Sequence, residues 1–131
     1  MTPSVNAPDT TPRLGVVIVT YGAADVIADC LETLFASDGA VLSVVVVDNA
    51  SKDATVAVIR NEHPWVKLVA SPVNLGFAAG NNLAAQHAIG ANLLLLNPDA
   101  VPHEGALARG LALMASHEGV GLAGGELRGP D

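Results

Sequence analysis

The amino-acid sequence predicts an α/β fold, a mostly parallel sheet with helices on both faces, and three observations predict it. Short continuous apolar runs alternate with stretches of helical period along the chain. Only four of the 131 residues are aromatic although half are apolar. The core must therefore be built from Val, Leu, Ile and Ala, a composition that suits helices packed closely on buried parallel strands. The length suits one compact domain, expected over residues 13–131.

Residues 1–12 are polar and contain three prolines. They lack the basic start and apolar run of a signal peptide and are expected to form a disordered tail. Residues 14–20 form a continuous β-branched run closed by Tyr21-Gly22, which predicts a buried strand. Residues 25–36 then place Val26, Ile27, Cys30, Leu31, Leu34 and Phe35 on one helical face, with Asp29 and Glu32 opposite. Ser37-Asp38-Gly39 ends that helix.

A second buried strand is expected over residues 43–48, and Ser51 or Asp53 can cap a helix reaching about Asn61 before Pro64 stops it. Residues 66–70 read as a third strand. Residues 74–90 read as mostly helical, with Leu83, Ala84, His87 and Ala88, and 91–96 as a fourth strand. Pro102 opens a helix in which Leu107, Leu111 and Met114 recur at i, i+4 and i+7. Residues 120–123 begin a fifth short strand.

Charge and composition exclude several classes. The net charge is −7, from six Lys and Arg against thirteen Asp and Glu. No basic face for a nucleic-acid partner can be assembled from that. The one cysteine, Cys30, allows neither an intrachain disulfide nor a cysteine zinc cluster and reads as a buried thiol. A reducing, cytoplasmic setting fits. None of the apolar runs approaches the ~20 residues that span a bilayer, so any contact with the inner face of a membrane is expected to be peripheral. The four histidines share no metal-ligand spacing; His63, His103 and His117 read as surface residues and His87 as packed on the sheet. Trp65 and Phe77 read as packing residues.

In open α/β sheets ligands bind beyond the carboxyl ends of the strands, where strand order reverses. Strand one ends in Thr20-Tyr21-Gly22, strand two in Asp48-Asn49 and strand four in Asn97-Pro98-Asp99. If strands one and four are neighbours, the three ends converge on one cleft, with Asn74-Leu75-Gly76 added after strand three. The first turn has one glycine and so lacks G-x-G-x-x-G, and no Walker A loop occurs, which disfavours dinucleotide and ATP chemistry.

Asp48 can accept a hydrogen bond from a ribose hydroxyl or base N–H, or can simply bond its own turn. Asn97-Pro98-Asp99 can open a turn, or can present Asp99 to a divalent cation bridging two phosphates. Asn97 offers only a neutral oxygen. Asn74-Leu75-Gly76 with Gly80-Asn81-Asn82 can cap a helix, or can bring free amides to a phosphate.

Together the pieces VVIVTYG, VVVVDNASKDAT, NLGFAAGNN and LLLLNPDA resemble, in order and spacing, the family-2 glycosyltransferases of the GT-A fold, over about residues 13–130. The resemblance implies transfer of a sugar from a UDP- or dTDP-sugar to an acceptor hydroxyl of a glycan or lipid-linked molecule in cell-surface polysaccharide synthesis. It implies Mg²⁺ or Mn²⁺ as cofactor and inversion at the anomeric carbon. Thr20 and Tyr21 would line the nucleoside pocket, Asp48 would bond the base with Asn49 beside it, and Asn74 would contribute to nucleotide binding. Gly76 would permit close backbone approach and Asn82 would shape the donor wall.

Asp99 would be the last carboxylate of a D-x-D metal element whose first position is Asn97. That Asn-Pro-Asp form resembles rhamnosyl- and galactofuranosyl-transferases. Asn81 stands where many members carry Arg. The family normally continues past this length with its acceptor region and general base, so the chain is expected to stop after strand five, to lack the base and to turn over little. A non-catalytic nucleotide-binding or dimerising module, with an exposed apolar face and an unfinished edge favouring homo-oligomers, is the alternative. Another α/β enzyme acting on a phosphorylated substrate is a third.

Overall fold

The computed structural model describes residues 14–38, 42–126 and 128. The expected tail at 1–12 and Gly39 of the first helix stop lie outside them. The elements run β1 (Leu14–Thr20), α1 (Ile27–Asp38), β2 (Leu42–Asn49), α2 (Thr55–Glu62), β3 (Lys67–Ser71), α3 (Phe77–His87), β4 (Asn92–Leu96) and α4 (Ala106–Ser116). The four strands form one parallel sheet in the order β3-β2-β1-β4, as expected for an α/β fold.

Parallel strands need a covered crossover between them, and burial on both faces makes their sequences continuously apolar rather than alternating. β1 and β2 obey this fully: Val16, Val17, Ile18, Val45, Val46 and Val47 have no exposed surface. One face, through Val16, Ile18, Val44 and Val46, packs on Ile27, Cys30, Leu31 and Leu34 of α1 and Ile59 of α2. The other, through Val17, Val45 and Val47, packs on Ala84 of α3. Helix α3 lies close to β1 because Gly80 has no side chain; a Cβ there would come within 3.0 Å of Val19.

Several expectations are corrected. Residues 120–123 form no strand: they are exposed, Leu122 by 90 %. Four residues flanked and interrupted by glycine, with no strand beside them among the described residues to supply hydrogen bonds, do not hold extended pairing. Val26 precedes α1 and is 39 % exposed, and Phe35 is 58 % exposed, so the buried stripe is narrower than its period suggests.

His63 is buried rather than superficial. It terminates α2, with its N–H bonded to the carbonyl of Ile59, which turns the ring inward, and its Nε2 has no partner among the described residues. Trp65 does pack, edge-tilted on Phe35 with ring centroids 5.3 Å apart. Phe77 does not; it stands 64 % exposed at the first position of α3. No helix among the described residues is long and apolar enough to cross a membrane.

Candidate functional site

β1 lies between β2 and β4, so the carboxyl ends of all three strands sit side by side, with Thr20 paired to Asp48 and Ile18 to Leu96. At a strand spacing of about 4.8 Å, the β2 and β4 ends stand roughly 10 Å apart across Thr20.

The β1–β2 side is a closed hydrogen-bonded unit. Asp48 is 1 % exposed. Its Oδ1 accepts from the Thr20 hydroxyl at 2.7 Å and the Ser51 hydroxyl at 2.6 Å, and its Oδ2 accepts from the Ser51 N–H at 2.9 Å. Ser51 Oγ in turn accepts the Gly22 N–H at 2.8 Å, and the Thr55 hydroxyl accepts the Ala23 N–H at 2.9 Å. Two turns 29 or more residues apart are thereby fixed to each other.

Asp53 completes the unit. Its carboxylate accepts from the hydroxyl and N–H of Thr55 and from the Ala24 N–H. Those bonds, the Thr55 hydroxyl first, hold its carboxyl below the usual carboxylate range. Ala50, between Asn49 and Ser51, takes φ 60°, a left-handed conformation that disfavours a Cβ.

Asn49 reaches sideways. Its Oδ1 accepts the Leu75 N–H at 3.1 Å and its Nδ2 donates to the Gly76 carbonyl at 3.0 Å. Gly76 N–H donates to Asn74 Oδ1 at 2.9 Å, and Gly76 itself, at φ 86°, is the N-cap of α3 without side-chain capping. The first-turn amides of α3 therefore have no side-chain acceptor. Asn82 is exposed on α3, while Asn81 is buried and donates to the Phe77 carbonyl.

On the β4 side the polar groups are sparse. Asn97 and Asp99 are exposed, and among the described residues no side-chain hydrogen bond reaches the Asp99 carboxylate. The Cys30 thiol lies below this turn, its Sγ 3.9 Å from the Asn97 carbonyl. Burial, and then the charge of Asp99, push that thiol up to about 12, so it stays protonated and inert. Among the described residues no group of three or more His, Cys, Asp or Glu could hold a metal. Asp99 and Asn97 offer one carboxylate and one neutral oxygen, and a hard cation such as Mg²⁺ or Mn²⁺ held by so few protein ligands takes the rest of its shell from phosphate and water.

The structure thus brings Thr20, Asp48 and Asn49 together as one buried group. Tyr21, 57 % exposed, stands at its rim. Asn74 and Gly76 join it through Asn49, and Asn97 and Asp99 lie across β1. A concavity of about 570 Å³ between α1 and the start of α4 is lined by Glu32, Thr33, Pro102 and Glu104, and by none of these residues. Ser51 and Asp53, expected as helix caps, instead tie the two turns together, since the N-cap of α2 is Ala54 without a side-chain cap, and Thr55 joins them unexpectedly. The pattern D-x-x-S-x-D-x-T, which runs from the end of β2 to the first residue of α2, is the signal that could have found them.

Comparison with known proteins gives a consistent result. A sequence model of the family described as Glycosyl transferase family 2 matches residues 15–126. Succinoglycan biosynthesis protein ExoO of Rhizobium meliloti is 34 % identical over 92 residues, covering 70 % of this chain and 26 % of that protein. Glycosyltransferase AglE of Haloferax volcanii is 30 % identical over 123 residues, covering 90 % of this chain and 40 % of that protein. The chain thus spans well under half the length of these curated relatives.

Among solved structures, the mannosyltransferase PcManGT from Pyrobaculum calidifontis, in complex with GDP-Man and Mn²⁺, matches with TM-score 0.72 and 32 % identity, over 83 % of this chain and 34 % of that one. S. aureus TarS, residues 1–349, matches with TM-score 0.72 at 24 % identity, over 80 % of this chain and 33 % of that one, a likeness of fold.

Proposed function

Because the chain belongs to glycosyl transferase family 2, we propose that it is the nucleotide-sugar-binding part of a glycosyltransferase that moves a sugar from a UDP- or dTDP-activated donor to a hydroxyl of a glycan or lipid-linked acceptor. One observation carries the reading: the strand order β2-β1-β4 sets the Thr20–Asp48 pair and the Asp99 carboxylate on opposite sides of one strand end. At roughly 10 Å that separation suits a nucleoside on one side and a diphosphate on the other. The complex of PcManGT with GDP-Man and Mn²⁺ supports a metal-assisted donor site, and the Asn97-Pro98-Asp99 form favours a rhamnosyl- or galactofuranosyl-type donor.

In this reading Tyr21 and the turn held by Ser51 and Asp48 form the nucleoside wall, and the 74–76 loop forms the neighbouring wall. Asp99 would hold Mg²⁺ or Mn²⁺, with Asn97 as a second oxygen, and the cation would supply positive charge to the leaving diphosphate. The acceptor oxygen bonds to the anomeric carbon from the face opposite the diphosphate. The old C–O bond breaks with its electron pair going to the diphosphate, and configuration inverts. The hydroxyl proton passes to a general base, a role that no side chain of this chain is assigned.

Calorimetric titration with UDP and dTDP, with and without Mn²⁺, tests the reading. Binding strengthened by Mn²⁺ and made metal-independent by Asp99→Ala is expected. A folded chain that binds neither nucleotide contradicts it. The exposed Leu93 and Leu95 on edge strand β4 favour a second reading, a self-associating module that binds nucleotide without turnover. A donor-hydrolysis assay separates the two.

A further inference from the structure

Asn49 is 2 % exposed, with both ends of its carboxamide engaged inside the protein. We propose that Asn49 is a positioning residue, a strut between the β2 end and the 74–76 loop that sets the nucleotide-binding wall without touching the nucleotide. The inference rests on the donor-site reading above.

The chemistry of the strut is specific. Leu75 presents a donor and Gly76 an acceptor, so the bridging group needs one acceptor and one donor on adjacent atoms. Asparagine supplies both. Aspartate has the same shape but, when ionised, offers two acceptors and sets a carboxylate against the Gly76 carbonyl. Serine is too short to bridge. Glutamine adds a methylene where space is already closed, since a Cβ on Gly80 would lie 3.3 Å from Asn49 Nδ2.

The consequence extends into α3. The Gly76 carbonyl that Asn49 holds also accepts the Gly80 N–H at 3.1 Å, the first hydrogen bond of the helix. Gly76 is at φ 86° and has no side chain of its own to fix it. Among the described residues, Asn49 and Asn74 are the two side chains that bond this segment from outside the helix backbone. Losing the strut frees the turn and the direction of the first-turn amides together.

The test is Asn49→Asp followed as a function of pH, beside the wild type to correct for Asp48 and other carboxylates. Two quantities are read: affinity for UDP with Mn²⁺, and hydrogen exchange at the Leu75 N–H measured without nucleotide. At about pH 8 the carboxylate is ionised. Affinity is then expected to fall about tenfold, the scale of one lost hydrogen bond with a buried group left unpaired, and Leu75 protection to fall with it. Toward about pH 5 the buried acid regains its proton and becomes a donor to Gly76, and both quantities are expected to recover relative to wild type.

Gly80→Ala, which presses on the same carboxamide, is expected to lower affinity without any recovery at acid pH. Asn49→Asp that loses affinity with Leu75 protection intact overturns the proposal, because Asn49 then contacts the nucleotide directly. So does Asn49→Asp that loosens Leu75 and binds normally. If the wild type itself binds no nucleotide, the donor-site reading falls and the positioning role with it. The nucleotide-free exchange data still report whether Asn49 holds the loop, so the two failures are distinguishable.

Discussion

The two sides of β1 are built differently. Toward β2, the strand ends are buried and the polar groups of Thr20, Asp48, Asn49, Ser51 and Thr55 are bonded to one another or to nearby backbone. Toward β4, the strand is half-exposed, α4 has no buried residue, and Asp99 projects without a side-chain hydrogen bond among the described residues. A carboxylate that accepts three internal hydrogen bonds holds its own turn in place, and of its roughly four acceptor positions one remains for a ligand. A carboxylate with none is free to meet a cation. The same residue type therefore sits in two different surroundings, one bonded from within the protein and one open to solvent.

The largest effect should come from the buried carboxylate. Asp48→Ala leaves the Thr20 hydroxyl and the Ser51 N–H and hydroxyl without their acceptor in a buried site. It is expected to lower stability by about 3 kcal/mol in urea denaturation, since bonds to a charged group are worth roughly 1.5–3 kcal/mol each and compensate only in part. Asp99→Ala should leave stability within about 0.5 kcal/mol, as an exposed substitution does. It should remove the Mn²⁺ dependence of nucleotide affinity, read calorimetrically. Equal destabilisation by the two variants would erase the contrast.

Two smaller effects sharpen it. Ala50→Gly relieves a left-handed Cβ, and the gain is limited because glycine also loosens the unfolded chain. A stabilisation of about 0.5–1 kcal/mol, seen as a higher Tm, is expected. Asp53 carries the smallest. Its folded carboxyl lies below the ordinary value, so its contribution is present above about pH 4 and is lost as pH falls through the folded value. Asp53→Asn should flatten the acid limb of the stability curve over that window and change little at neutral pH. An unchanged acid limb would show that the turn bonds to Thr55 and Ala24 do not persist in solution.

Much of the fold was legible because it is local. Continuous valine runs in β1 and β2 and the helical period of α1 report burial directly, the period of α4 reports a helix without a buried residue, and the parallel sheet follows from the alternation of strands and helices. The pairing of β1 with β4 entered only as a condition, and the structure supplies it. What was not legible depends on contacts between distant residues. A fifth strand at 120–123 was read from three apolar residues, but strand formation needs a neighbour that no run of sequence reveals. His63 and Phe77 exchanged their expected environments because chain direction after α2 and before α3 decides which ring turns inward.

At the candidate site, the strand-end residues were visible as a set. The partners of Asp48 and Asn49 were not, since Ser51 reads equally well as a helix cap and Leu75 offers only its backbone. Side-chain identity shows what a residue could bind, while burial and prior engagement show what it is free to bind.

The most direct test of this division is paramagnetic broadening by Mn²⁺ in amide spectra of the chain, with and without UDP. The account predicts that Mn²⁺ with UDP broadens the amides around Asn97, Asp99 and Ala100 most strongly, with Asp48 and Ser51 affected less, and that Asp99→Ala abolishes the effect. Broadening centred on Asp48, or surviving Asp99→Ala, would contradict it.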